Sequence, residues 1–419
     1  MTQRGVPKSN ELTTSRFRDE IGATIEDLDA AGKARRPGLA KTWAPTAFVT
    51  HIPATGDDLR VAIKDNIDIK DWVTSAGCSY LATHSRPAER DADCLQGVRA
   101  AHQRGRIQIV GKTVLNELAA GVTGANPWSG TPVNPHYPDR LPGGSSSGSA
   151  VAVAAGDADI AIGTDTGGSV RIPAAFVGVC GLKTTSSRVS TRGIRPLSPS
   201  LDSVGPLART VQGLELGLRL LDPTFRGGSR LTRRLARFRP SREDPVLSSA
   251  LDGSVRDAGF EIIEVDLPLW STAWKAAYTI LAAEAWANNR ELAEAGAALG
   301  DEAGGLLQAG ARQPRSELEE ARAVRPAWIA QLGEALQGVD AVYCSTVSGI
   351  VPHLNDPVER WLPDLNTLPV NLAGTPALVL PVRSGPDSVP PPSLQLIGAA
   401  GAEAVLLDVA RGIEQYLRT

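Results

Sequence analysis

The chain has 419 residues, with 43 Lys and Arg against 46 Asp and Glu, a formal charge of -3 and 42% apolar residues. That balance excludes a disordered chain and leaves no basic footprint for general nucleic-acid binding. Four scattered cysteines (Cys78, Cys94, Cys180, Cys344) without a C-x-x-C pair point to neither a zinc site nor a disulfide scaffold.

The first 45 residues are polar, with one amphipathic stretch from Phe17 to Ala31 that predicts a helix. The start carries no apolar h-region, and no stretch approaches the roughly 18 apolar residues of a membrane span, so a cytoplasmic protein is expected. From Leu59 the pattern changes. LRVAIKDNIDI (59–69) is a β-branched run around Lys64, and AHQRGRIQIVGKT (101–113) reads as a helix end followed by a strand. SAVAVAAG (149–156) reads as a helix, and GDADIAIGTDTGGS (156–169) as a strand ending in a glycine turn. Strands alternating with helices, apolar on both faces, imply a sheet covered on both sides. From 210 to 340 the chain is predicted mainly helical, with one strand in GFEIIEVDLP (259–268). An Arg-rich run (Arg226, Arg230, Arg233, Arg234, Arg237, Arg239, Arg242) interrupts it and reads as a solvated face. Strand signals return in AVYCST, PALVLPV and SLQLIG, with an exposed loop at 384–393 and a final helix near 401–417. No repeat or linker divides the chain, which predicts one α/β domain.

Only eight basic residues are lysine, and four of them (Lys64, Lys70, Lys112, Lys183) fall between 64 and 183. Between Arg140 and Lys183 the charged residues are Asp157, Asp159, Asp165 and Arg171, in a stretch otherwise rich in Gly, Ser, Ala, Val and Ile. Gly/Ser-rich sequence usually marks a linker. Interleaved here with strand-like and helix-like runs, it fits a buried, backbone-rich site better.

Several chemistries fail on spacing. Gly105 and Gly111 before Lys112-Thr113 enclose five residues, where a phosphate loop needs four, and those five read as a strand. The histidines (His51, His84, His102, His136, His353) form no zinc-binding pair at helical spacing. Gly167-Gly168-Ser169-Val170-Arg171 ends in Arg where a nucleophile elbow needs Gly. No lysine has a serine three residues before it.

What remains is serine chemistry without an obvious histidine. Two glycines before Ser169 let the backbone approach a ligand and aim N–H groups at one point, as an oxyanion hole requires. Upstream, Ser145, Ser146, Ser147 and Ser149 cluster at a helix start. A serine hydroxyl needs a base, and a buried Lys64 could supply one if its neutral form is populated.

VAIKDNID (61–68), PGGSS (142–146) and GTDTGGSVRIPA (163–174) resemble the amidase signature family. The similarity extends to GKT-x-x-NE (111–117), Asn134-Pro135, GLK (181–183), SLDSVGPLART (200–210), NLAGTPALVLP (371–381) and LQLIG (394–398). It covers most of the chain beyond residue 55 and is weakest at 222–340. The resemblance implies a single α/β/α domain with a mixed central sheet covered by helices on both faces. Its parts would be an N-terminal helical segment (1–55), a signature core (56–215), a variable helical region (216–340) and C-terminal strands and helix (341–419).

It further implies a Ser-cisSer-Lys triad. Ser169 would be the nucleophile forming an acyl-enzyme, Ser145 the bridge reached through a cis peptide bond, and Lys64 the base. The 24-residue separation of the two serines is the family's usual one. The N–H groups of Thr166, Gly167, Gly168 and Ser169 would form the oxyanion hole, with Ser146, Asp165 and Arg171 in support. Two positions depart from the pattern. Ser147 replaces a glycine and would be strained if that position needs a positive φ; a helical position would accept it. Cys78 stands where serine is usual and reads as a small buried substitute.

The expected activity is hydrolysis of a carboxylic amide by a free-standing amidase. Alternatives are a glutamine-hydrolysing amidase subunit of a tRNA-dependent amidotransferase complex and a non-catalytic binding protein on the same fold. The resemblance implies a small-molecule amide as partner and no metal or organic cofactor, and it leaves a homodimer open; charge and hydropathy make nucleic-acid and membrane partners unexpected. Loops near Gly121–Trp128 and the 272–350 region would build the acyl pocket, where Trp128, Trp274 and Trp286 serve either as lining or as core.

Overall fold

An uninterrupted apolar run is stable as a strand only when both of its faces are covered. The computed structural model describes residues 47–382 and 389–418. The helix expected at Phe17–Ala31 and residues 384–388 of the late loop therefore lie outside the described residues. Eleven strands are described: β1 (Phe48–His51), β2 (Leu59–Lys64), β3 (Ile107–Thr113), β4 (Ile160–Asp165), β5 (Cys180–Lys183), β6 (Ser203–Ala208), β7 (Arg234–Arg237), β8 (Glu261–Glu264), β9 (Ala341–Ser345), β10 (Ala377–Pro381) and β11 (Ser393–Ile397). They form one sheet in the order β1-β3-β2-β4-β6-β5-β10-β11-β9-β7-β8. β2 runs parallel to β3 and β4, and β7 runs parallel to β8 and β9. The remaining pairs are antiparallel.

Side chains alternate across the sheet and set its two layers. Leu235, Tyr343, Leu378, Leu380, Leu394 and Leu396 share a core with the helices Val211–Leu221, Pro245–Asp257 and Glu403–Arg418. Their neighbours Ala236, Val342, Cys344, Ala377 and Ile397 belong to a second core with the helices Trp270–Glu294, Arg315–Ala335 and Leu368–Ala373. The described residues thus form a single α/β/α domain with a large mixed sheet, the architecture expected from the sequence.

Local signals fix several helix starts. Asp244 accepts hydrogen bonds from the N–H groups of Val246 (2.8 Å) and Leu247 (3.2 Å). With Pro245 in the first turn, this caps donors that have no partner inside the helix. Thr210 does the same for Gly213 at 3.0 Å.

The Arg-rich run departs from its expectation. Arg234–Arg237 is strand β7, so the 210–340 region holds two strands. Arg237 is fully buried, donating to Asp252 at 2.8 Å and to Glu243, with its guanidinium 5.0 Å from the Tyr343 ring centroid. Acids that balance this run in the sequence do so partly inside the fold, where an unpaired guanidinium would be costly. Arg239, by contrast, is 42% exposed at its side chain.

Candidate active site

The end of β2, the end of β4 and the segment before the helix Ser147–Ala155 converge. That helix is buried from Ser147 through Ala154, which side chains no larger than Val permit. Ser147 lies within it and is absent from the residues with positive φ, so serine fits without backbone strain. Cys78 is fully buried at the start of the helix Ser79–His84, as a small substitute would be.

The peptide bond between Gly144 and Ser145 is cis. Gly143, with φ 71°, leaves no room for a side chain: a Cβ there would sit 2.9 Å from Pro173 Cα. Lys64 Nζ lies 2.8 Å from Ser145 Oγ and 2.9 Å from Thr164 Oγ1. It is fully buried, and burial lowers its pKa from 10.5 to about 7 against the pull of Asp165 and Asp202. A neutral amine is therefore accessible near physiological pH.

Ser169 ends the turn after β4. The N–H of Ser146 donates to the Ser169 carbonyl at 3.1 Å, and Ser146 Oγ donates to the Thr164 carbonyl at 3.2 Å, so the two serine segments are fastened together. Ser169 is 6% exposed. Its hydroxyl makes no hydrogen bond among the described residues, including none to Ser145.

Asp165 and Arg171 support this turn from below. Arg171 grips Asp165 through Nε (3.0 Å) and Nη2 (2.8 Å), and reaches Gln395 Oε1 (2.7 Å), Asn371 Oδ1 (2.6 Å) and the Thr367 carbonyl (3.0 Å). Burial would raise the Asp165 carboxyl, but the Arg171 charge and hydrogen bonds, with Lys183 and Asn371, hold it well below the usual carboxylate range.

The four expected oxyanion donors are not equivalent. The Gly168 N–H donates to Asp165 Oδ1 at 2.9 Å, and one N–H does not serve a second acceptor equally well. The N–H groups of Gly167 and Ser169 have no acceptor among the described residues. Gly168 has φ 128°, and a Cβ there would lie 2.2 Å from Thr367 Oγ1; only glycine fits.

Several participants carried no assigned role in the sequence. Thr164, Asn66, Asn116, Asp202, Asn371 and Gln395 all lie inside the motifs quoted above, so a signal was present without a function attached. Glu302, from the variable region, is different. It accepts from Asn116 Nδ2 (2.7 Å), Thr123 Oγ1 (2.6 Å) and the Val122 N–H (3.0 Å). Asn116 in turn receives the Gly124 N–H on its Oδ1 at 3.0 Å and donates its own N–H to the Ser145 carbonyl at 3.1 Å. Nothing in the sequence around Glu302 signals that link.

The aromatic residues divide. Trp128 is 43% exposed, Trp274 stacks on Tyr278 with ring centroids 5.6 Å apart, and Trp286 packs beside a separate core cluster. Nearer the Ser169 turn are Leu368 and Leu281, within 3.1 and 4.0 Å of where a Gly167 Cβ would stand. Among the described residues, no group of three or more His, Cys, Asp and Glu side chains is placed to hold a metal ion. No helix among them is long and apolar enough to cross a membrane.

The amidase family model matches residues 58–225 and 231–407. The chain belongs to the amidase family. It is 36% identical over 414 residues to the A subunit of the glutamyl-tRNA(Gln) amidotransferase of Natronomonas pharaonis, covering 84% of this chain and 94% of that one. It is 33% identical to the corresponding protein of Halobacterium salinarum, covering 88% and 99%. Among solved structures, an amidase superposes with TM-score 0.77 at 28% identity, covering 96% of this chain and 90% of the other. The A subunit of the glutamyl-tRNA(Gln) amidotransferase of Thermotoga maritima superposes with TM-score 0.74 at 26% identity, covering 96% and 91%. The protein is an amidase-signature hydrolase.

Proposed function

We propose that this amidase cleaves a carboxamide through an acyl-enzyme on Ser169, with Ser145 as bridge and Lys64 as base. The supporting observation is the 2.8 Å contact between the buried Lys64 amine and Ser145 Oγ, in a site where that amine is neutral above about pH 7. Lys64 takes the Ser145 proton as Ser145 takes that of Ser169, and Ser169 Oγ bonds to the carbonyl carbon. The oxygen of the tetrahedral intermediate meets the N–H groups of Gly167 and Ser169, with Thr166 alongside. Collapse breaks the C–N bond while the proton returns through Ser145 to the leaving nitrogen. Water then repeats the sequence on the ester and releases the acid.

The substrate assigned is the side-chain amide of glutamine, with the ammonia passed on in a tRNA-dependent amidotransferase complex in the cytoplasm. Eight relatives at 30–36% identity are named as the A subunit of glutamyl-tRNA(Gln) amidotransferase, which supports this over a free-standing enzyme. With a charge of -3 the chain has no surplus of basic residues for tRNA, so a partner subunit would hold it. A free-standing amidase is the second reading, favoured by the apolar Leu281 and Leu368 beside Gly167 and by the solved amidase above. The test is purification from the native host followed by turnover of glutamine and of simple aliphatic and aryl amides. Copurifying subunits and glutamine turnover support the first reading. A lone chain that turns over only simple amides contradicts it.

A further inference from the structure

A cavity of about 10 Å³ adjoins the Lys64 network, lined by Asn66, Thr164, Thr166, Arg195, Asp202 and Ser203 among others. That is room for about one water. Thr164 Oγ1 links it to the base, accepting from Lys64 Nζ at 2.9 Å and from Asn66 Nδ2 at 3.0 Å. Asn66 is 2% exposed, and its Oδ1 has no hydrogen-bond partner. A buried carbonyl oxygen of that kind needs a donor, which a water in the cavity would supply.

Asp202 stands on the same cavity. Its Oδ1 accepts the Thr166 hydroxyl at 2.5 Å, and its Oδ2 accepts the Leu197 N–H at 3.1 Å. The Ser198 N–H reaches both oxygens at 3.2 Å. Among the described residues Asp202 has no ion pair. Glu284, on the helix Trp270–Glu294, accepts from Ser198 Oγ at 2.7 Å and from the Ser200 N–H at 3.0 Å and adds like charge nearby. Arg195 is engaged by Asn289 and Glu291. Two carboxylates favour the charged form of Lys64, Asp165 more strongly than Asp202; Asp165 is paired with Arg171, and Asp202 has no such cation among the described residues.

We propose that Asp202 is a positioning residue for catalysis: its carboxylate shares this cavity with Thr164, the hydrogen-bond partner of Lys64, and adds negative charge beside the base, and through the Thr166 hydroxyl it fixes the turn that presents Ser169. One side chain thereby couples the base to the oxyanion donors. Burial raises the Asp202 carboxyl, opposed by the Thr166, Ser198 and Leu197 hydrogen bonds. A negative charge near an amine favours its protonated form, so removing that charge makes Lys64 a weaker base that is neutral at lower pH.

The inference rests on Lys64 as base. The experiment measures the rate of inactivation by a fluorophosphonate across pH 5–9 for the wild type, Asp202→Asn, Asp202→Glu and Thr166→Val, with thermal melts as a folding control. The expected result is a wild-type acid limb near pH 7 that falls by about half a unit or more in Asp202→Asn and returns in Asp202→Glu. Thr166→Val, which keeps the charge, should leave the limb in place while the limiting rate drops several-fold. A wild-type profile without an acid limb defeats the Lys64 assignment and this inference together. A limb that is present but unmoved in Asp202→Asn overturns the role of Asp202 alone. If Asp202→Asn does not fold, a limb displaced in Thr166→Val overturns it as well, because packing and not charge would then set the midpoint.

Discussion

Lys64 Nζ and Ser145 Oγ lie 2.8 Å apart although 81 residues separate them in sequence. The end of β2 supplies one and the loop entering the buried Ser-Ala-Val helix supplies the other. Arg could not take this place: its guanidinium stays protonated in proteins, whereas a buried amine can lose its proton. In a lysine-poor chain, a lysine is thus the basic residue that the proposed role at this position requires.

The proton held by Lys64 should govern turnover. Below about pH 7 the amine is charged and cannot accept a proton, so kcat/KM should fall about tenfold per pH unit on the acid side. Lys64→Ala should lose at least roughly a thousandfold in kcat, and its residual rate should no longer carry that limb. A pH–rate series on both proteins checks this; an unchanged limb in Lys64→Ala would contradict the assignment.

Gly168→Ala tests the turn. The new methyl would stand 2.2 Å from Thr367 Oγ1 and 2.7 Å from Ile172 Cδ1, at a φ of 128°. Strain of about 1–3 kcal/mol is expected, and displacement of the neighbouring N–H groups should lower kcat by about a hundredfold or more. Melting temperature and steady-state kinetics give the two readouts, and a variant with wild-type values in both would show that the turn has slack.

Arg171→Met should be the most destabilising of these changes. It leaves Asp165 buried without its guanidinium and removes donors from Gln395, Asn371 and the Thr367 carbonyl. Breaking a buried pair in this way costs about 3–5 kcal/mol. Chemical denaturation should show the loss, or the variant should fail to accumulate as folded protein.

Stability should rise with pH just above neutrality. Lys64 and Lys183 are both fully buried, and burial lowers each pKa from 10.5 to about 7; for Lys183 the Arg171 charge adds to the lowering. Between pH 7 and the unfolded value the unfolded chain binds more protons, so unfolding free energy climbs by up to about 1.4 kcal/mol per pH unit for each amine. Below pH 7 both states are protonated and the slope vanishes. The buried thiols Cys94 and Cys344, pushed up to about 12, act in the opposite sense only once unfolded thiols ionise near pH 8.5. Denaturant midpoints at pH 7.0, 7.75 and 8.5 should therefore increase, and Lys183→Met should flatten the trend. A flat wild-type series would show that these amines stay charged in the fold.

The sequence made the core of this arrangement legible because its elements carry strong local constraints. The β2 and β4 strands are apolar runs, and Gly168 sits where no side chain fits. It did not reveal β7, because Arg237 reads as surface until Glu243 and Asp252 are brought to it by the fold, while Arg234 stays exposed beside Glu261. The link from Glu302 to Asn116 spans 186 residues and has no periodicity to announce it. The hydrogen bond from the Gly168 N–H to Asp165 was equally hidden, because it depends on where Asp165 points its carboxylate. Motifs identify which residues meet; they do not show which N–H groups remain free once they have met.

The most direct test is to label the protein with a fluorophosphonate and map the adduct by mass spectrometry, alongside turnover by Ser169→Ala. The adduct should sit on Ser169 alone, and Ser169→Ala should neither label nor turn over amide. An adduct on Ser145, Ser146 or any other residue, or amide hydrolysis retained in Ser169→Ala, would contradict the acyl-enzyme mechanism.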